Sequence, residues 1–218
     1  MKPEISVIIP CFNQGKTLLR AIESIIFQSF KSFEIIVVDD GSTDTISKII
    51  QEIPKVNYIY QENQGVSVAR NVGARKASSD WLVFLDSDDE LAKNALEIIH
   101  NAILKGADLQ VVCGGFYKIE NKTQENYIPE SSEMVIPLSG TYCIKKDIFW
   151  KIGGFDESLD FSENSELFLR LKFNEIVPFL VFKEFLIYHP SQSGGSKNID
   201  GQIASIRRIS EIHKDRLT

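Results

Sequence analysis

Residues 81–90 read WLVFLDSDDE: five apolar side chains, Trp81 through Leu85, and then, within one residue, the carboxylates Asp86, Asp88 and Asp89. An unbroken apolar run of this length suits a central strand of a parallel sheet, covered on both faces so that no polar alternation is needed. In open α/β sheets ligands sit outside the carboxyl ends of the strands, which puts residues 86–89 on the edge where chemistry is usually found. Two aspartates one residue apart offer hard oxygen ligands to a divalent cation and leave coordination positions for water or phosphate. A plainer role also fits, since Asp88 or Asp89 could cap a following helix over residues 91–104.

Upstream of that strand the chain alternates. Residues 5–10 form a short buried strand, a loop runs through residue 16, and a helix over 17–30 carries Leu18, Ile22, Ile25 and Ile26 on one face, with Thr17 as its cap. A second strand over 34–38 ends in Asp39 and Asp40, and GSTD leads into a helix capped by Ser42 or Thr43. Capping is equally a sufficient role for Asp39 and Asp44. Residues 56–60 are a third strand, and 66–77 a helix entered through Asn63, Gln64 and Gly65. The order βαβαβαβ predicts an α/β fold with a doubly wound, mainly parallel sheet and right-handed crossovers.

Beyond Gly106 the rhythm changes. The pattern predicts a strand over 109–113, a hairpin or irregular excursion over 114–137, a strand over 140–144, and a short helix over 145–152. A Gly153-Gly154 turn presents Phe155, Asp156 and Glu157, followed by a helix over 163–173, a strand over 178–188 and a terminal helix over 202–216. The 218 residues therefore read as one domain, with a ligand-binding half, 1–106, and a mixed half, 107–218, that holds the terminal helix.

Composition narrows the function. The net charge of −6, from 30 acidic and 24 basic side chains without a basic block, argues against nonspecific nucleic-acid binding. Cys11, Cys113 and Cys143 have no paired spacing, so neither a zinc site nor a disulfide framework is indicated, and a reducing compartment is expected. The start of the sequence lacks a signal-peptide core and no run approaches a membrane span, giving the expectation of a soluble, cytoplasmic protein. The terminal segment sets Arg207, Arg208, Lys214 and Arg216 beside isoleucines, which allows at most peripheral membrane contact; packing on the domain is the simpler expectation.

The strand ends at Pro10 to Asn13, Asp39 and Asp40, and Asp86 to Asp89 converge on one rim of a parallel sheet. Two acidic clusters there would repel a bare diphosphate, so a nucleotide ligand would need a divalent metal bridging carboxylate and phosphate oxygens. Asp40 could accept hydrogen bonds from a base edge or a ribose. Arg70 and Arg75 could pair with phosphate or be solvated helix charges. Residues 10–15 form no Gly-x-Gly-x-x-Gly turn, which excludes a dinucleotide oxidoreductase of the usual type, and the absence of a glycine-rich loop with a basic residue after the first strand argues against a sugar nucleotidyltransferase.

The runs SVIIPCFNQGKTLLRAIESIIFQSFKSFEIIVVDDGSTD, NQGVSVARNVG and WLVFLDSDDEL, in that order, resemble the family 2 glycosyltransferases, inverting sugar-nucleotide enzymes of the GT-A fold; SGTYCIKKDIFWKIGGFDESLDFSENSELFLRL continues the likeness more weakly into the family's acceptor-side half. The resemblance implies that Pro10, Phe12 and Asp40 hold nucleobase and ribose, that Gly65 and Arg70 border the nucleotide, and that Asp86 and Asp88 hold Mn2+ or Mg2+ with the diphosphate, Asp88 as principal ligand. His189, in YHPSQSGG, resembles a histidine that helps bind metal or diphosphate, and could equally be an ordinary surface or core histidine. A nucleoside diphosphate sugar, uridine-linked by preference, would be the donor, and a glycan or lipid-linked glycan the acceptor.

One departure bears on catalysis. Where the family has glutamate then an aspartate general base, this chain has Glu163 then Asn164, and an amide accepts no proton at neutral pH. Glu163 or Glu166, three residues apart on one face, is the preferred replacement. Asp156 or Glu157 could take the role under a different alignment. Alternatively, the protein is a catalytically silent sugar-nucleotide-binding module.

Overall fold

Ile5–Cys11 (β1) is buried at every position, as a strand covered on both faces must be. It lies between Phe33–Asp40 (β2) and Trp81–Phe84 (β4), parallel to both, and Val56–Gln61 (β3) adds a further parallel strand outside β2. Alternation along these strands feeds two cores. Val7, Ile9, Ile35, Val37, Val83 and Leu85 belong to one, and Ile8, Ile36, Val38, Leu82 and Phe84 to the other. The computed structural model describes residues 2–51, 53, 55–120, 123–190 and 198–216.

The second half continues the same sheet with mixed polarity. The remaining described strands are Glu90–Leu91 (β5), Val111–Glu120 (β6), Thr123–Tyr127 (β7), Tyr142–Lys145 (β8) and Phe179–Tyr188 (β9). The strand order is β3-β2-β1-β4-β8-β6-β9-β5, with β7 hairpinned onto β6. β8 runs antiparallel to both β4 and β6, while β9 runs parallel to β6. The hairpin expected somewhere in 114–137 is thus the β6–β7 pair. The described helices are Gly15–Ile26 (α1), Ile46–Gln51 (α2), Val66–Lys76 (α3), Ala95–Ile103 (α4), Lys146–Lys151 (α5), Glu163–Phe173 (α6) and Ile199–Ile212 (α7). None of them is long and apolar enough to cross a membrane.

Three expected caps are corrected. Thr17 lies inside α1, and the amide of Gly15 instead donates to Asp44 Oδ2 at 2.8 Å, from across the loop. Ser42 and Thr43 do not start α2; Asp44 Oδ1 accepts from the Ile46 amide. Asp88 and Asp89 do not cap a helix over 91–104, because Glu90 and Leu91 pair with Ile187 and Leu186 of β9 and α4 begins only after Asn94, which takes a positive φ of 62°.

Two features aim the chain at the carboxyl edge of the sheet. Helix α3 has buried small or polar residues, among them Ser67, Asn71 and Gly73; a Cβ on Gly73 would come within 2.4 Å of Ile8 Cγ2, so the helix lies close on β1 and carries Arg70 inward. Phe84, Phe149 and Phe155 pack together with centroids 4.9–5.4 Å apart. Asn71 then clamps the Phe155 backbone, donating to its carbonyl and accepting from its amide. That fixes the loop entering α6.

Candidate active site

The carboxyl ends of β1, β2 and β4, the start of α3, the start of α6 and the end of β9 enclose a cavity of about 750 Å³. Its lining brings together Pro10, Phe12, Asp40, Gly65, Arg70, Asp86, Asp88, Glu163, Asn164 and His189, residues drawn from stretches that lie far apart in the sequence. Phe12 is 49% exposed on this wall, a large apolar face open to a flat ligand.

Arg70 is the hub. Its side chain is 2% exposed, and its guanidinium pairs with Asp86 Oδ1 and Glu163 Oε1 at 2.6 Å each, while also donating to Ser139 Oγ at 2.9 Å. Burial opposes its charge, and Asp86 and Glu163 outweigh burial and hold it protonated. Arg70 is therefore no solvated helix charge; it joins two carboxylates, one from each wall. Arg75 points away, pairing with Glu157 and lying over the Trp150 ring.

Asp40 is only 4% exposed, and its carboxylate accepts from Gln61 Nε2 and from the amides of Gln64 and Gly65 at 2.7–2.9 Å. It shapes the turn into α3. Asp39 likewise closes a turn, accepting from the Ser42 amide and the Tyr58 hydroxyl.

The aspartates after β4 are crowded. Burial, then the neighbouring Asp86, pushes the Asp88 carboxyl above the usual range, and the same two causes push Asp89 up to about 9. Asp89 Oδ1 accepts from the His189 amide at 2.8 Å, and the His189 ring contacts Glu90 Oε1 at 2.7 Å. Residues 191–195 of the YHPSQSGG run lie outside the described residues.

A carboxyl whose pKa rises on folding binds its proton more tightly in the folded state. Its stabilising contribution is present below the unfolded value of 3.8 and is lost as pH rises through about 9. In EDTA, the wild-type Tm is expected to fall from about pH 5 to about pH 8.5 more steeply than that of Asp89→Asn, which keeps an acceptor for the His189 amide. Parallel thermal-melt profiles would contradict a protonated, buried Asp89.

On the opposite wall, Asn164 Oδ1 accepts from Tyr142 Oη at 2.7 Å and its Nδ2 donates to Glu163 Oε1 at 2.9 Å. Burial raises the Tyr142 hydroxyl well above its ordinary pKa, keeping it a donor. Glu166 was expected to share the wall with Glu163 and does not. It is 1% exposed, gripped through both oxygens by Arg170 at 2.6 Å and by the His213 ring at 2.8 Å. This is a latch between α6 and α7. Two lining residues carry no signal in the sequence pattern: Ser139, at the end of an irregular stretch, and Asp160, in the loop before α6.

The family model Glycosyl transferase family 2 matches residues 6–189. An uncharacterized glycosyltransferase of Haemophilus influenzae is 30% identical over 182 residues, 77% of this chain and 61% of that protein. Glycosyltransferase GlyA of Streptococcus pneumoniae is 39% identical over 119 residues, 52% of this chain and 17% of that protein. The chain thus spans less than two thirds of the length of each of these relatives. Among solved structures, S. aureus TarS residues 1–349 in complex with UDP-GlcNAc superposes with a TM-score of 0.79 at 20% identity, over 95% of this chain and 66% of that one.

Proposed function

The chain belongs to glycosyl transferase family 2, and from that premise we propose that it is a metal-dependent inverting glycosyltransferase. It would move a sugar from a nucleoside diphosphate sugar, uridine-linked by preference, to a hydroxyl of a glycan or lipid-linked glycan. The observation that carries this reading is one cavity with an acidic pair, Asp86 and Asp88, on one wall and Glu163 and Asn164 on the other. The structures of TarS with UDP and with UDP-GlcNAc support a uridine-linked donor on the same fold.

The donor set suits a hard divalent cation, Mn2+ or Mg2+. Burial and Asp86 push the Asp88 carboxyl up, which marks unneutralised negative charge that a cation would relieve. Among the described residues no three His, Cys, Asp or Glu side chains group as a ready cage; a cation that arrives with diphosphate needs only one or two protein carboxylates. Asp86 and Asp88 would hold it, with His189 at the edge of the same cavity. Bound there, the metal supplies positive charge against the diphosphate as it departs.

The chain's own residues do the rest. Phe12 and Pro10 offer an apolar wall for the base, and the Asp40-braced turn at Gln64 and Gly65 borders the nucleotide. Arg70 keeps Asp86 in place and ties it to α6, so that donor and acceptor walls keep a fixed separation. A second reading, binding without turnover, is favoured by Asn164, whose amide is engaged on both sides.

UDP-GlcNAc, UDP-glucose and UDP-galactose, each with and without Mn2+, provide the test. At least one is expected to raise the Tm only when Mn2+ is present, because a ligand that binds the folded state stabilises it, and to release UDP. Stabilisation without UDP release would favour the silent module. No stabilisation by any of them sinks the sugar-nucleotide assignment.

A further inference from the structure

Five carboxylates stand on the acceptor side, from the Gly153-Gly154 turn through the first turn of α6, and four are engaged. Asp156 Oδ1 accepts from the amide and hydroxyl of Ser158. Glu157 Oε1 accepts from Asn71 and pairs with Arg75, and neither residue lines the cavity. Glu166 is held by Arg170 and His213. Glu163 does line the cavity, but its Oε1 takes both the Arg70 guanidinium and the Asn164 amide, so a proton arriving there would have to loosen the knot that joins the two walls.

Asp160 is different. It is exposed, lines the cavity and, among the described residues, has no hydrogen-bond or ion-pair partner. Its backbone is nonetheless fixed: the preceding Leu159 is 2% exposed and its carbonyl accepts from Ser67 Oγ at 3.0 Å, while Ser162 turns with a φ of 60° into α6. A Cβ built on Gly65 would lie 3.8 Å from Asp160 Oδ1. The free carboxylate therefore reaches across to the turn that borders the nucleotide.

We propose that Asp160 is the general base of this chain, a reading that rests on the glycosyltransferase function above. A base needs an unshared carboxylate oxygen facing the reacting hydroxyl; Asp160 offers both of its oxygens to the cavity, whereas Glu163, although its Oε2 is unbonded among the described residues, is pinned through Oε1 to Arg70 and Asn164. In the transfer the acceptor O–H bond breaks and its proton passes to the Asp160 carboxylate. The acceptor oxygen forms the new bond to the anomeric carbon, and the bond from that carbon to the β-phosphate oxygen breaks, its electron pair leaving with the nucleoside diphosphate. Glu163 is then a positioning residue that holds Arg70.

The test follows UDP release from UDP-GlcNAc, UDP-glucose and UDP-galactose with Mn2+ and water as acceptor, in wild type, Asp160→Asn, Asp160→Glu and Glu163→Gln. Asp160→Asn is expected to release UDP about 100-fold or more slowly, as removal of a general base does, with donor affinity within about threefold, and Asp160→Glu to recover at least about a tenth of wild-type rate. Azide needs no deprotonation to attack, so it is expected to restore UDP release to Asp160→Asn and yield the inverted glycosyl azide. Asp160→Asn within about twofold of an active wild type, a rate loss that follows lost donor affinity, or a larger loss in Glu163→Gln overturns the assignment alone. A wild type that releases UDP from none of the three donors overturns the function itself and this assignment with it.

Discussion

Arg70→Ala lowers the Tm by roughly 6–12 °C, the expected consequence of losing about 3 kcal/mol in a domain of this size. The figure follows from what the substitution strands. Breaking a buried ion pair from one side costs about 3–5 kcal/mol, because the surviving charge stays out of water. Here the two survivors differ: the Glu163 side chain is 11% exposed and the Asp86 side chain 39%. Water can reach Asp86, so Glu163 carries most of the penalty and the low end of the range applies. Removing the Arg70 stem also opens space beside Phe155, over whose ring the guanidinium lies at 5.3 Å.

The same reasoning predicts non-additivity. In Arg70→Met with Glu163→Gln no buried charge is left unpaired, so the double variant should melt above Arg70→Met alone. Arg70→Lys should fall between wild type and Arg70→Met, since one ammonium cannot match the planar fork that reaches Asp86, Glu163 and Ser139 together. A melt of Arg70→Ala within about 2 °C of wild type would show that the hub does not join the two walls.

The parts of this arrangement legible in the sequence are those set by local pattern. Apolar runs that stop abruptly, as at Leu85 to Asp86 and Val38 to Asp39, locate strand ends, and parallel topology then gathers those ends on one rim. Glu163–Phe173 was legible for the same reason, a helical stripe with acidic residues in its first turn. What the sequence hides depends on partners far along the chain. Strand β5 is two residues long and exists because β9, nearly a hundred residues later, pairs with it. The amide of Gly15 finds its acceptor 29 residues away in Asp44, so local capping rules selected Thr17 instead. Glu166 shares a helix with Glu163, yet Arg170 one turn on and His213, 47 residues downstream, draw it into the α6–α7 contact. Asp160 sits in a loop with no periodicity, where only the cavity identifies it.

Asp88→Ala is expected to slow UDP release by roughly 10²–10³-fold, the loss typical of removing one group that stabilises charge developing on a departing oxyanion. The geometry distinguishes this from a folding defect. Asp86 is held by Arg70, whereas no described cation pairs with Asp88, whose carboxyl is pushed up by burial and by Asp86 with only partial relief from Arg20 and His189. Deleting a carboxylate that sits in excess negative charge relieves repulsion, so in EDTA the Tm of Asp88→Ala should match or exceed that of wild type. With Mn2+ and UDP-GlcNAc the order should reverse, because wild type gains stability from the ligand pair and the variant does not. That crossover separates a ligand-holding carboxylate from a merely structural one, which would lower the Tm in both conditions. Turnover within about twofold of wild type, with Mn2+ stabilisation intact, would sink the assignment of Asp88 to the metal-diphosphate site. It would leave Asp86, already tied to Arg70, as a poor sole candidate to hold the cation.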